Sequence, residues 1–173
     1  DSYAQLKTTP VHVRQRALNN MREWTLRNLD EVARRAVDET GLGRVADKIN
    51  KNRLVANKTP GMEILQPSAQ TGDNGLTLDE YASLGVIGSI TPCTNATETI
   101  LNNGISMIAG GNSVVFNVHP SAKRTLAWYT EQLNRVCVDA GAPDNLMTMV
   151  REPTIESAQA LMKHEGVRLL AVT

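Results

Sequence analysis

Aromatic side chains are scarce: one Phe, three Tyr and two Trp in 173 residues. A surface that stacks nucleic-acid bases needs more of them, interleaved with basic residues. An excess of one charge is missing too. Lys+Arg and Asp+Glu number 18 each, so no net field draws the chain toward nucleic acid or an anionic membrane. Only two cysteines are present, Cys93 and Cys137, too few for a disulfide framework. Neither has metal-ligand spacing with His12, His119 or His164, so no metal is expected. No apolar run approaches bilayer length, and no signal-peptide pattern opens the chain. A reducing, cytosolic compartment is the default.

The length suffices for one real core with appendages. The sequence starts at "DSYAQLKTTP" without Met and stops inside the apolar "RLLAVT". A piece of a longer protein is the expectation.

Residues 11 to about 60 read as helix after helix. "VHVRQRALNNMREWTLRNL" sets Val13, Ala17, Leu18, Met21, Trp24 and Leu29 at helical spacing, with Arg14, Arg16, Arg22 and Arg27 on other faces. Those charges read as a solvated helix surface. "DEVARRAVDETGLGR" offers Asp30 as an N-cap and stops at Gly41 and Gly43. "VADKINKNRLVANKTPG" runs to a break at Pro60-Gly61. In "QPSAQTGDNGLTLDEYASL" the turn signature "TGDNG" precedes an alternating "LTLDEY". It fits either a polar arm or an ordinary surface hairpin.

From residue 85 the pattern becomes regular. Strands expected at Val86–Ile90, Val114–Val118, Leu146–Val150 and Arg168–Val172 alternate with amphipathic helices. That alternation means an α/β parallel sheet with right-handed crossovers. Ligands of such sheets sit at the carboxyl ends of strands. Thr91 to Asn95, Asn117 to Lys123, and whatever follows Thr173 are therefore the ligand-facing segments. Gly110-Gly111 reads as a left-handed helix cap rather than a phosphate loop, and no GxGxxG is present.

The elements "TPCTNA", "NNGISMIAGGN", "VVFNVHPSAK", "PTIESAQALMKH" and "RLLAVT", with "DETGLGRVADKINKN" and "TGDNGLTLDEY" upstream, occur in order along nearly the whole chain. In this it resembles the aldehyde dehydrogenase superfamily, most of all the CoA-acylating acetaldehyde and propionaldehyde dehydrogenases of bacterial microcompartments. The resemblance implies an N-terminal helical segment (1–65), an oligomerisation ribbon (66–84) and the first half of a Rossmann-like NAD- and CoA-binding domain (85–173). The catalytic domain and its nucleophilic cysteine would lie beyond Thr173. A homodimer or homotetramer, in the cytoplasm or a microcompartment lumen and in contact with its shell, follows from the same resemblance.

The implied chemistry is NAD-dependent oxidation of a short-chain aldehyde to acyl-CoA through a cysteine thiohemiacetal and thioester. Cys93 does not match the family nucleophile. It reads as a small packing residue, and Cys137 as core. The family's oxyanion amide falls, by spacing from Pro92, on Thr94, with the asparagine one residue later at Asn95. Either is the oxyanion donor, and Asn95 is the stronger candidate because an amide N–H is the better-directed donor. Asn95 could equally N-cap the next helix, with Glu98 completing a capping box. Thr91, Pro92, Cys93, Asn117, His119, Pro120, Ser121 and Lys123 are the implied cofactor residues, Lys123 as a point charge for a phosphate. A non-catalytic nucleotide-binding or assembly module, and a phosphate-activated semialdehyde reductase, stay open as alternatives.

Overall fold

The computed structural model describes residues 2–173. Four helices come first: α1 (Ser2–Thr8), α2 (Val11–Arg27), α3 (Leu29–Thr40) and α4 (Val45–Lys58). A two-stranded antiparallel ribbon follows, β1 (Ser68–Gly72) paired with β2 (Gly75–Asp79), with every residue exposed. Then come β3 (Val86–Thr91), α5 (Ala96–Ala109), β4 (Ser113–Val118), α6 (Lys123–Asp139), β5 (Met147–Met149), α7 (Ile155–Lys163) and β6 (Val167–Val172). The four expected strands are present within a few residues of their expected bounds. They form one wholly parallel sheet in the order β5-β4-β3-β6.

That order reverses direction at β3. The chain moves from β3 to β4 to β5, then crosses back to lay β6 on the other side of β3. Right-handed crossovers therefore put α5 and α6 on one face and α7 on the other. Side-chain alternation along β3 agrees: Ser89 accepts a hydrogen bond from Asn103 Nδ2 of α5, while Gly88 lies under Leu161 of α7. A Cβ at Gly88 would sit 3.1 Å from both Leu161 Cγ and Leu170 Cδ2, so the strand carries glycine where α7 packs down.

The core lies on the α5 side. Eleven of the fourteen residues of α5 are buried, because the sheet covers one flank and α2, α4 and α6 wrap the rest. Ile100, Ile105, Ile108, Leu126 and Leu133 meet Leu18 and Met21 from α2 there. The other side of the sheet is sparsely covered, leaving Leu170 and Val172 of β6 exposed together with Ile155 and Met162 of α7.

Two expectations for the helical segment need correction. Asn28, not Asp30, occupies the N-cap position of α3, and Asp30 pairs with Arg34 one turn on. The arginines of α2 are not simply solvated. Arg14 donates to Ala109 O at the end of α5 (3.0 Å), Arg16 to Ala140 O at the end of α6 (2.9 Å), and Arg22 to Ala56 O and Thr59 O at the end of α4 (2.5 and 2.6 Å). Each fan of guanidinium donors satisfies carbonyls that a helix terminus leaves without partners, where positive charge also complements the dipole. Arg27 alone fits the solvated reading, exposed beside Glu23. Gly111, at φ +76°, is the left-handed residue after α5, and the Asn112 N–H donates to Met107 O to close the cap.

Candidate functional site

β3 ends where Pro92 removes a ladder donor. The Thr91 hydroxyl is buried at this strand end without a hydrogen-bond partner, and Thr91 O accepts from His119 N (3.1 Å) of the neighbouring strand's loop. Pro92 and Cys93 are half-buried, while Thr94 and Asn95 face solvent. Asn95 immediately precedes α5, and its carbonyl accepts from the Thr99 N–H and hydroxyl (3.0 and 2.6 Å).

Its side chain does not cap the helix. The capping box with Glu98 is not formed. Glu98 is drawn instead to a buried ammonium: Lys48 Nζ lies 3.5 Å from Glu98 Oε1, both side chains being about 95% buried, and donates to Thr94 O (2.5 Å). One helical turn along α4, Lys51 Nζ donates to Asn95 Oδ1 (3.0 Å). Asn52, the next residue, donates through Nδ2 to Thr97 Oγ1 (3.0 Å). Four contacts from three residues of α4 thus brace residues 94–98. An unpaired charge in that buried position would be costly, which is why Glu98 turns inward rather than back to the cap.

A cleft of about 320 Å³ opens beside this loop, lined by Lys51, Leu54, Asn95, Thr99, Asn103 and Thr173. It lies between α4, α5 and the carboxyl end of β6. The strand order reverses between β3 and β6, so this is the topological switch point where open α/β sheets bind ligands.

β4 ends beside β3, Val118 in register with Thr91. Asn117 is buried, and its Oδ1 accepts from Ser157 Oγ (2.6 Å), which ties the strand to the capping box that Ser157 forms with Thr154 at the start of α7. His119 Nδ1 accepts from Ser121 N (3.1 Å), so a neutral imidazole carries its proton on Nε2, facing outward as a donor. Pro120 starts a short 3-10 turn, and Ser121 is exposed. Lys123 is not a free point charge. It pairs with Glu152 at 2.6 Å, and Lys123 holds the Glu152 carboxyl below the usual carboxylate range.

The structure brings Thr91, Pro92, Cys93, Thr94 and Asn95 to one strand end, and His119, Pro120, Ser121 and Lys123 to the next. Asn117 it assigns to packing against α7. Cys137 is buried in α6, and burial pushes its thiol up to about 12, leaving it unreactive. Three residues that contact these strand-end loops escaped the sequence reading: Lys48, Lys51 and Glu152. The last had a signal, because it follows β5 and so also lies at a strand's carboxyl end. The lysines had none short of knowing that α4 packs on α5.

The aldehyde dehydrogenase family model matches residues 1–173. An acetaldehyde dehydrogenase (acetylating) of Bilophila wadsworthia is 50% identical over 170 residues, 98% of this chain and 35% of that protein. The crystal structure of Rhodopseudomonas palustris propionaldehyde dehydrogenase with bound CoA and an acylated cysteine superposes with a TM-score of 0.96 at 44% identity, over 99% of this chain and 40% of that one. An engineered glycolyl-CoA reductase with bound NADP+ gives 0.96 at 43%, with the same coverage. The chain spans about a third of the curated relative it matches. It belongs to the aldehyde dehydrogenase family.

Proposed function

We propose that this chain is the N-terminal portion of a CoA-acylating aldehyde dehydrogenase that oxidises a short-chain aldehyde to acyl-CoA. The observation that carries this is the match, over 99% of this chain and 40% of the other, to a structure holding CoA and an acylated cysteine, together with an amide-bearing loop on the switch-point cleft. The nucleophilic cysteine belongs to the remaining two thirds of the protein. In the whole enzyme a bound nicotinamide dinucleotide supplies the hydride acceptor, and CoA supplies the thiol that carries off the acyl group.

The residues fit such a cofactor. The strand ends present an orphaned buried hydroxyl at Thr91 and an outward imidazole donor at His119. Ser121 adds a hydroxyl and Glu152 an acceptor for ribose hydroxyls. The Glu152 carboxylate, with Lys123 engaged on it rather than free for a 2′-phosphate, suits a ribose diol, and this supports NAD over NADP. Asn95 then serves the chemistry: an Nδ2–H donated to the thiohemiacetal oxygen stabilises charge that grows only in the transition state.

Residues 1–65 brace the cofactor domain (85–173), and the ribbon (66–84) joins subunits into a homodimer or homotetramer. Leu76 and Leu78 lie on one face of β2 at 67% and 58% exposure, and such an apolar edge is suited to pairing with another subunit. No helix among the described residues is long and apolar enough to cross a membrane. The motifs shared with the microcompartment branch support a place in a microcompartment lumen.

The test uses the full-length enzyme. Asn95→Ala and Asn95→Asp should each lower kcat by about a hundredfold or more while NAD affinity barely moves. If Asn95 matters only as a helix start, Asp retains wild-type kinetics. An active Asn95→Asp with an inactive Thr94→Val moves the donor one residue back.

A further inference from the structure

We infer that α4 carries a two-lysine clamp for the Thr94–Asn95 loop, in which Lys51 fixes the face that the Asn95 amide turns to the reaction. This rests on the reading of Asn95 as the oxyanion donor. The two ends of a side-chain amide are nearly the same size and opposite in function: the oxygen accepts and the NH2 donates. An unrestrained Asn95 could present Oδ1 to a developing oxyanion, which would repel it. An ammonium can only donate, so Lys51 Nζ, 3.0 Å from Oδ1, selects the orientation that leaves both Nδ2 hydrogens free. The same charge-assisted bond polarises the amide and strengthens Nδ2–H as a donor.

Lys48 does the complementary work on the backbone. Its Nζ holds Thr94 O at 2.5 Å, and Glu98 neutralises its charge inside the protein. The carbonyl next to Asn95 is thereby occupied from the α4 side, and the peptide that carries the amide is fixed. Residues 48 and 51 stand one turn apart on α4, so one rigid helix sets both the peptide and the amide. Both are positioning residues: they act through Thr94 and Asn95. Lys51 lines the switch-point cleft with Asn95, so the competing role is direct contact with a phosphate of CoA or the dinucleotide.

A double-mutant cycle on the full-length enzyme separates these. Lys51→Met should lower kcat about tenfold, with unchanged KM for NAD and CoA and an unchanged melting temperature. Lys51→Arg, which keeps an ionised donor, should recover most of the rate. In an Asn95→Ala background, Lys51→Met should cost nothing further, because its target is gone. Losses that multiply, or a raised KM for either cofactor, overturn the clamp in favour of phosphate contact. Lys51→Met at the wild-type rate beside an inactive Asn95→Ala also overturns it while leaving the role of Asn95 intact. An Asn95→Ala enzyme of full activity removes both readings.

Discussion

The loops that leave β3 and β4 end neighbouring strands in register, yet they are held differently. The β3 loop is braced from outside the sheet by α4, some 45 residues earlier in sequence, through a buried ion pair and an ammonium on a side-chain amide. The β4 loop is held mainly by its own residues and by the elements that follow, His119 on Ser121, Asn117 on Ser157 and Lys123 on Glu152, while α3 reaches its far end, where the Glu39 carboxylate accepts from Arg124 N and Thr125 N. The ion pair of the first is buried, and that of the second is exposed. A group that must stabilise a transient charge gains from being fixed in advance, whereas a surface that grips a flexible nucleotide tolerates adjustment. The difference bears on the N-terminal helices: α4 packs on α5 and holds the loop that carries Asn95 to it.

Breaking each anchor should expose that contrast, and the largest effect belongs to the buried pair. Lys48→Met leaves Glu98 as an unpaired carboxylate in the interior and should cost about 3–5 kcal/mol in chemical denaturation. Adding Glu98→Leu removes the stranded charge and should restore most of the stability. It should not restore kcat, because Thr94 O still lacks its donor. A double variant with wild-type turnover would show that the loop needs no anchor. Lys123→Met, which breaks the exposed pair of the other loop, should leave the denaturation midpoint where it is.

A smaller and purely kinetic effect is expected at Glu152. Replacing it by Gln keeps the size and removes the charge. KM for NAD should rise severalfold while KM for NADP falls, with kcat unchanged, because the variant weakens the ribose acceptor and frees Lys123 for a 2′-phosphate. An unchanged ratio of the two KM values would detach Glu152 from the ribose and leave it a surface partner of Lys123.

The fold was legible in the sequence because its signals are local. Apolar runs such as Val114–Val118 and the periodic Ile100, Leu101, Ile105 and Ile108 declare strand and helix without reference to anything distant. What stayed hidden was every contact made across the chain. Arg14, Arg16 and Arg22 look like an exposed polar face, but each reaches the end of a different helix, and only the packing of α2 across α4, α5 and α6 says so. Glu98 three residues after Asn95 is a sound capping-box pattern. It fails because Lys48, 50 positions earlier, offers the carboxylate a buried partner. The site divides the same way: the strand ends and Asn95 could be read, while the lysines that orient them could not.

The smallest effect should come from the residue that most advertises chemistry. Cys93 sits at the strand end, half-buried, on the loop that Lys48 and Lys51 hold, and its replacement by Ser changes one atom of similar size. If its sulfur is not the attacking atom, Cys93→Ser in the full-length enzyme keeps acylating turnover within about twofold and still forms the thioester. Cys137→Ser should behave in the reverse sense, leaving turnover per folded molecule alone but destabilising the protein by about 1–3 kcal/mol, since it puts a hydroxyl into the core. Native-state alkylation adds an independent reading: Cys93 should be modified and Cys137 spared until the chain unfolds, because burial holds its thiol protonated. A folded Cys93→Ser enzyme that no longer forms a thioester would make Cys93 the nucleophile after all. The braced β3 loop would then carry the attacking sulfur as well as the donor that awaits the oxyanion.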